Sequence, residues 1–164
     1  MSESVGKKAE KKIKEWLNRP DDGYSFDRLP DPMSGYIGQA NICDFICYKY
    51  PYMYYIESKA TEHDRFDFTM LTDTQRDGLY EKSHIQGCYG IVIVLFVSYQ
   101  RAFILDIRDM VDSGLKSLNI RKVDKWEIPF VEIPTIQSRK EMLDYSGELD
   151  DLVASMNKKN AESL

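Results

Sequence analysis

The feature that most constrains this chain is the ten-residue run 89–98, which reads YGIVIVLFVS. A strand with one face in water alternates apolar and polar residues, whereas this run is almost entirely apolar. The run has the length of a strand and is too short to cross a membrane as a helix. It therefore predicts a central strand that is buried on both faces, within a sheet covered by helices on both sides.

Further helices and strands are predicted on both sides of this central strand. Apolar residues at helical spacing with lysines opposite, capping residues, and apolar runs between turn residues mark their positions. The predicted helices cover 3–17, 72–84 and 109–117, and the other predicted strands cover 41–48, 52–60, 101–107 and 130–133. The order α-β-β-α-β-β-α-β indicates an α/β fold with a mixed sheet flanked by helices.

The 164 residues suit one compact domain, which we place at 1–146. Residues 24–40 are rich in Gly, Pro, Asp and Ser and predict an irregular loop, and 147–164 predicts a polar tail that frays or forms a loose helix. The chain shows no leader sequence, and its three cysteines lack a CxxC pair. We therefore expect a cytoplasmic protein with reduced thiols and no zinc site.

The charge distribution leaves the class of partner open. The net charge is −5, so nothing global indicates a nucleic acid. Basic residues nevertheless cluster twice, on the first predicted helix and again at 121–125. Such clusters are equally typical of a solvated helix face. The net charge and its distribution therefore neither support nor exclude DNA as a partner.

The predicted hairpin at 41–60 carries two acids and an amine among apolar and aromatic residues. If its turn is the four-residue stretch 49–52, antiparallel pairing places Asp44 directly opposite Glu57. Residues two apart in a strand share a face, so Lys59 lies on the same side as Glu57. The register therefore predicts that the three charged side chains form one group.

Two opposed carboxylates repel each other, so the Asp44–Glu57 pair needs a compensating charge. A divalent cation would provide it, with the backbone carbonyl of Ser58 as a further oxygen ligand. Oxygen ligands with room for water favour Mg²⁺ or Mn²⁺ over zinc. Lys59 could then orient an attacking water and stabilise negative charge on a phosphate. The alternative is that these are charges on an edge strand in solvent.

Two further residues could extend this site. Glu10 lies at the edge of the apolar face of the first helix, and Gly6 would allow that helix to approach the sheet so that Glu10 reaches the metal, directly or through a water. The alternative for Glu10 is an ion pair with Lys14. Gln75 falls in the first turn of the second helix, where it could contact a water or phosphate; the alternative is an exposed glutamine.

An ordered set of segments resembles the RecU-like Holliday junction resolvases, within the PD-(D/E)xK nuclease superfamily. These segments are GKKAE, CDF, YIESKA, FDFTMLTDTQRDGL, GIVIVLF, RAFILDIRDM and NIRKVDK, and they span most of the chain from Gly6 to about Ile133. Members of this family occur in bacteria and in their phages, and a chain of this size fits either.

The resemblance implies a restriction-endonuclease-like α/β core. It also implies a homodimeric, Mg²⁺- or Mn²⁺-dependent endonuclease that makes paired nicks in four-way DNA junctions during recombination and repair. By position, Asp44 and Glu57 would be metal ligands and Lys59 the catalytic lysine. Glu10 would match the acid of the first helix, and Gln75 the glutamine of the helix after the hairpin.

DNA contacts are expected from the basic clusters, from the helix that carries Gln75 and from the loop before the hairpin, where glycines and an arginine suit phosphate binding. The residues concerned are Lys7, Lys11, Arg28, Ser34, Arg76, Arg121 and Lys122. Two alternatives remain open at this point. One is a restriction- or repair-type endonuclease on duplex or flap DNA, and the other is a DNA-binding module of the same fold without catalysis.

Overall fold

The computed structural model describes residues 4–31, 40–134 and 147–162. Its four helices are α1 (Val5–Leu17), α2 (Asp73–Ser83), α3 (Ile107–Asp112) and α4 (Leu149–Glu162). The strands are β1 (Ser25–Arg28), β2 (Phe45–Lys49), β3 (Tyr52–Thr61), β4 (Arg65–Asp67), β5 (Cys88–Phe96), β6 (Arg101–Asp106), β7 (Ser117–Asn119) and β8 (Val131–Ile133). Short 3₁₀ turns connect several of these elements.

Six strands form one mixed sheet in the order β1-β2-β3-β5-β6-β8. β3 and β5 pair in parallel, and the other neighbours pair antiparallel. A parallel pair needs a crossover connection, and here that connection contains α2. The small strands β4 and β7 pair with each other in a separate two-stranded sheet.

Both faces of the central strand β5 are covered, as the apolar run predicts. Ile91, Ile93 and Leu95 belong to a core that includes residues of α1 and α4. The alternate residues Val92 and Val94 belong to a second core that includes residues of α2 and α3. The predicted mixed sheet flanked by helices is therefore confirmed.

The loop expected at 24–40 differs from the structure at its beginning. β1 pairs antiparallel with β2, with Phe26 opposite Cys47, and so forms an edge of the sheet. Phe26 also stacks on Phe45, with 5.2 Å between the ring centroids. The loop residues 32–39, which include Ser34, Gly35 and Gly38, lie outside the described part of the chain.

Of the two outcomes expected for the C-terminal residues, fraying or a loose helix, the structure shows a helix, α4, and one face of it is buried. In α4, Leu149, Val153 and Met156 are at most 3% exposed and join the core that contains α1. Their spacing of four and three residues places them on one helix face. This face is what attaches α4 to the sheet; the domain division at residue 147 stays a prediction.

No helix in the described ranges is both long enough and apolar enough to cross a membrane.

Candidate functional site

The candidate site lies where the β2–β3 hairpin meets the beginning of α2. Ile46 lies opposite Tyr55, which is the register that the sequence predicts. Two residues further along, the same register places Asp44 opposite Glu57. The N–H of Ser58 donates a hydrogen bond to Asp44 Oδ2 (2.9 Å), which ties the Asp44 side chain to β3. The use of the Ser58 carbonyl as a ligand stays a prediction.

Glu57 is a buried acid with two unequal oxygens; only 2% of the residue is exposed. Oε1 lies 3.1 Å from Lys59 Nζ and accepts a hydrogen bond from Gln75 Nε2 (2.9 Å). Oε2 is buried and has no hydrogen-bond partner among the described residues. Leaving a buried carboxylate oxygen unpaired is costly, and a bound cation would satisfy it. The pair of acids therefore fits a divalent cation.

Burial raises the pKa of both acids, and the charge of Asp44 raises that of Glu57 further. Burial, followed by the negative charge of Asp44, raises the pKa of Glu57 from its ordinary 4.5 to about 7, against the opposing effect of Lys59. Burial also raises the pKa of Asp44, and the hydrogen bond from Ser58 partly offsets this. Like charges held this close favour one shared proton, unless a cation compensates them.

The hydrogen bonds at the start of α2 point Gln75 at this pair. Thr72 caps the helix: its hydroxyl accepts from the N–H of Gln75, and its own N–H donates to Gln75 Oε1. The Gln75 amide nitrogen is then directed at Glu57. The contact of Gln75 with a water or phosphate stays a prediction; in the structure its amide nitrogen donates to the Glu57 carboxylate. The Thr-x-x-Gln spacing of a capping box could have indicated that the Gln75 side chain turns back to the N–H of Thr72.

Glu10 is close enough to act on the pair by its charge but makes its ion pair elsewhere. Its Oε2 lies 3.0 Å from Nη2 of Arg28, in β1. The negative charge of Glu10 contributes to the raised pKa of Asp44. The close approach expected at Gly6 is not present, because a Cβ added there would meet nothing within 4 Å. A ligand role for Glu10 stays a prediction.

A mainly basic cavity of about 310 Å³ lies between α1 and the edge of the sheet, with the acids Glu10 and Asp31 also in its lining. Lys7, Lys11 and Arg28, three of the residues expected to contact DNA, line it together, and Lys14 adds a further amine. Sequence reasoning had not singled out Lys14 for this purpose. The structure therefore brings the basic face of α1 and the arginine of β1 to one surface.

The remaining described residues expected to contact DNA lie apart from this cavity. Arg76 pairs with Asp77 (2.9 Å), and Arg121 pairs with Asp64 (2.9 Å). Lys122 is exposed on the 3₁₀ turn that follows β7. Both arginines are thus bound to neighbouring acids, and their DNA contacts stay predictions.

Within the described ranges, no group of three or more His, Cys, Asp and Glu side chains is placed to hold a metal ion. The site offers two carboxylates, and the other ligands would have to be main-chain oxygens or water. Cys43 is buried beside them, and burial raises its pKa to about 12. Its thiol therefore stays protonated and donates to the carbonyl of Phe45 (3.2 Å).

Comparisons with known proteins bear on the family. A search of curated proteins gave no match. Among solved structures, the Holliday junction resolvase Hjc of Archaeoglobus fulgidus, an archaeal hyperthermophile, is similar with 13% identity and a TM-score of 0.45. That match covers 70% of this chain and 88% of Hjc.

The family model for recombination protein U, RecU, matches residues 27–151, which is well over half of the chain. The matched range contains Asp44, Glu57, Lys59 and Gln75, whereas α1 with Glu10 precedes it. The chain therefore belongs to the RecU family of Holliday junction resolvases.

Proposed function

We propose that this protein is a metal-dependent endonuclease that resolves four-way DNA junctions by paired nicks. The observation that carries the proposal is the Glu57 carboxylate. It is buried opposite Asp44, with one oxygen bound by Lys59 and Gln75 and the other without a partner among the described residues. Membership of the RecU family supports the substrate class.

Asp44 and Glu57 would hold a Mg²⁺ or Mn²⁺ ion, with the Ser58 carbonyl and water as further ligands. Such an ion, when bound, would neutralise phosphate charge and lower the pKa of a coordinated water. Lys59 stands on the same strand face with 19% of its side chain exposed, so its ammonium group can reach a phosphate at the mouth of the site. There it would stabilise the negative charge that develops during cleavage.

The basic cavity beside Glu10 is the surface that we assign to the DNA backbone. Its lysines neutralise phosphates without reading sequence, so binding should weaken steeply as salt rises. The chain carries a net charge of −5, so a local basic surface such as this one is needed to attract DNA. Glu10 would then keep Arg28 in place through their ion pair.

A homodimer would account for two symmetric nicks, because one candidate site serves one strand. The test is a supercoiled plasmid with an extruded cruciform. A dimeric resolvase cuts both strands within the lifetime of one complex and yields linear plasmid directly. Light scattering should give twice the mass of the 19.1 kDa chain, whereas a monomer that only accumulates nicked circles contradicts the dimer.

The substrate is tested with a four-way junction, a flap and a linear duplex of matched length, at equal concentrations and with Mg²⁺ or Mn²⁺. We expect the junction to be cut fastest, by two opposed nicks that leave 5′-phosphates. Equal rates on all three would indicate a restriction- or repair-type endonuclease instead. No cleavage of any of them would indicate a DNA-binding module without catalysis.

A further inference from the structure

We infer that Thr72 is a positioning residue of the candidate site, because it fixes the orientation of the Gln75 amide against Glu57. The use of Glu57 as a cation ligand rests on the proposed function. The contacts that carry the inference are made between protein atoms alone. Thr72 acts through Gln75 rather than on Glu57 itself.

Thr72 holds Gln75 by two reciprocal hydrogen bonds. Thr72 Oγ1 accepts from the N–H of Gln75 (3.2 Å), and the N–H of Thr72 donates to Gln75 Oε1 (3.0 Å). This capping box satisfies two of the donors that the start of a helix leaves unpaired. Gln75 is thereby held at its main-chain N–H by the Thr72 hydroxyl and at its side-chain oxygen by the Thr72 N–H.

The atom that faces Glu57 follows from these bonds. A backbone N–H only donates, so the Gln75 amide must present its oxygen to Thr72. Its nitrogen then points the other way and donates to Glu57 Oε1 (2.9 Å). A glutamine without this anchor could present either its oxygen or its nitrogen to the carboxylate, and the oxygen would repel it.

The anchored donor determines which oxygen of Glu57 is occupied. Lys59 also reaches Oε1 (3.1 Å), but on a flexible four-carbon stem. Gln75 is fixed to the helix, so it holds the carboxylate with Oε1 engaged and Oε2 free for a cation. Residues that orient a ligand in this way commonly affect metal affinity without touching the metal.

Three substitutions of Thr72 distinguish the contributions of its two hydrogen bonds to Gln75. Thr72→Ser keeps both, Thr72→Ala removes the hydroxyl, and Thr72→Pro removes the hydroxyl and the N–H. The backbone of Thr72 has φ −68°, which proline adopts, and Leu71 before it is extended with ψ 131°, as a residue before proline must be. The proline variant should therefore fold.

The first readout is the Gln75 side-chain NH₂ signal in a ¹H–¹⁵N spectrum of the metal-free protein. Thr72→Ser should keep the parental position. Thr72→Pro should move the signal towards that of a free glutamine amide, with Thr72→Ala between the two. An unchanged signal in Thr72→Pro overturns the inference, whatever the activity of the protein.

The second readout is Mn²⁺ affinity measured by calorimetry without DNA. Thr72→Pro should weaken binding about tenfold or more, and Thr72→Ser should leave it unchanged. A residue that only caps the helix would lower the melting temperature of Thr72→Pro while the folded protein kept its parental Mn²⁺ affinity. That result also overturns the inference.

A double-mutant cycle tests whether Thr72 acts through Gln75. In a Gln75→Met background, Thr72→Pro should cause no further loss of Mn²⁺ affinity. A full further loss contradicts the inference. If the parent protein binds no Mn²⁺ at all, the proposed function fails, and the Gln75 NH₂ signal still decides the role of Thr72.

Discussion

Glu57 is the side chain of the candidate site whose ionisation destabilises the folded protein most. It is buried beside a second acid, and burial with the charge of Asp44 raises its pKa to about 7. An acid whose pKa is higher in the folded than in the unfolded state binds more protons when folded. The free energy of unfolding therefore falls as pH rises from about 4.5 to about 7. A buried acid of this kind lowers the stability of the folded protein, which is common for residues that serve a functional site.

The substitution Glu57→Gln should remove this cost in the metal-free protein. The parent should lose roughly 3 kcal/mol of unfolding free energy between pH 4.5 and 7 through Glu57, and the variant should lack that component. Urea unfolding with a chelator at pH 5 and pH 7.5 measures it. Asp21→Asn, at an exposed position outside the site, is the control and should follow the parent. Parallel pH curves for parent and Glu57→Gln would contradict the account.

At the scale of elements, the site depends on how closely α2 approaches the hairpin. A Cβ added to Gly78 would lie 2.3 Å from Cγ2 of Ile42, which precedes Asp44 by two residues. On the next strand, a Cβ added to Gly90 would lie 2.7 Å from the carbonyl oxygen of Leu79. Both glycines allow contacts that side chains would prevent. They bring the helix that carries Gln75 against β5 and against the segment that leads into Asp44.

Gly78→Ala should therefore be harmful although alanine favours helices. Propensity alone would stabilise the protein by up to about 1 kcal/mol, but the overlap with Ile42 should cost more, for a net loss of about 1–3 kcal/mol. Cleavage should fall as well, because α2 has to move away from Asp44. Gly6→Ala is the matched control in α1, where an added Cβ meets nothing within 4 Å, and it should stabilise slightly. Equal stabilisation by both substitutions would contradict the packing argument.

At the scale of the whole molecule, a polar cluster around Glu148 attaches α4 to the rest of the fold. Its two carboxylate oxygens each lie 2.9 Å from a nitrogen of Arg19, and one also accepts from the hydroxyl of Tyr24 (2.6 Å). The hydrogen bonds from Arg19 and then Tyr24 lower the pKa of Glu148 to about 2. Nearby, the Trp16 indole donates to the carbonyl of Gly147 (2.7 Å).

An acid with a lowered pKa stabilises the fold above its ordinary pKa of 4.5 and loses that contribution as pH falls towards 2. Lowering the pH from 4.5 towards 2 should therefore weaken the packing of α4 against the fold. Because Glu148 is partly exposed, water screens the interaction and the effect should be modest. The fluorescence of Trp16 measures this weakening, in a Trp126→Phe background that leaves Trp16 as the single tryptophan. Glu148→Gln should reduce stability at pH 7 and flatten the response between pH 4.5 and 2. An unchanged acid response in Glu148→Gln would contradict this role.

Local patterns in the sequence were sufficient to predict the centre of the fold. The apolar run 89–98 predicted β5 with both faces buried, and the turn at 49–52 predicted the register that places Asp44 opposite Glu57. Each of these predictions depends on residues that are neighbours in the chain or across one hairpin. Alternation and turn length determine such contacts.

Contacts between segments that are distant in the chain could not be predicted from such local patterns. The edge strand β1 has four residues and buries little, so it shows no alternation. Glu10 forms its ion pair with Arg28, which lies in that unpredicted strand. α4 looks polar because only every third or fourth residue is buried, and the core that it joins includes residues of α1, more than a hundred residues earlier in the chain. These features depend on packing, and packing is not encoded locally.

The most direct test of the account is junction cleavage by Glu57→Gln alongside DNA binding by the same protein. A four-way junction is incubated with Mg²⁺ or Mn²⁺ for cleavage and with Ca²⁺ for binding, with Asp21→Asn as the control. We predict that Glu57→Gln cuts at least about 100-fold more slowly, because a metal ligand is lost, while its junction affinity stays near that of the parent. Cleavage by Glu57→Gln at the parental rate would contradict the assignment of this carboxylate pair as the nuclease site.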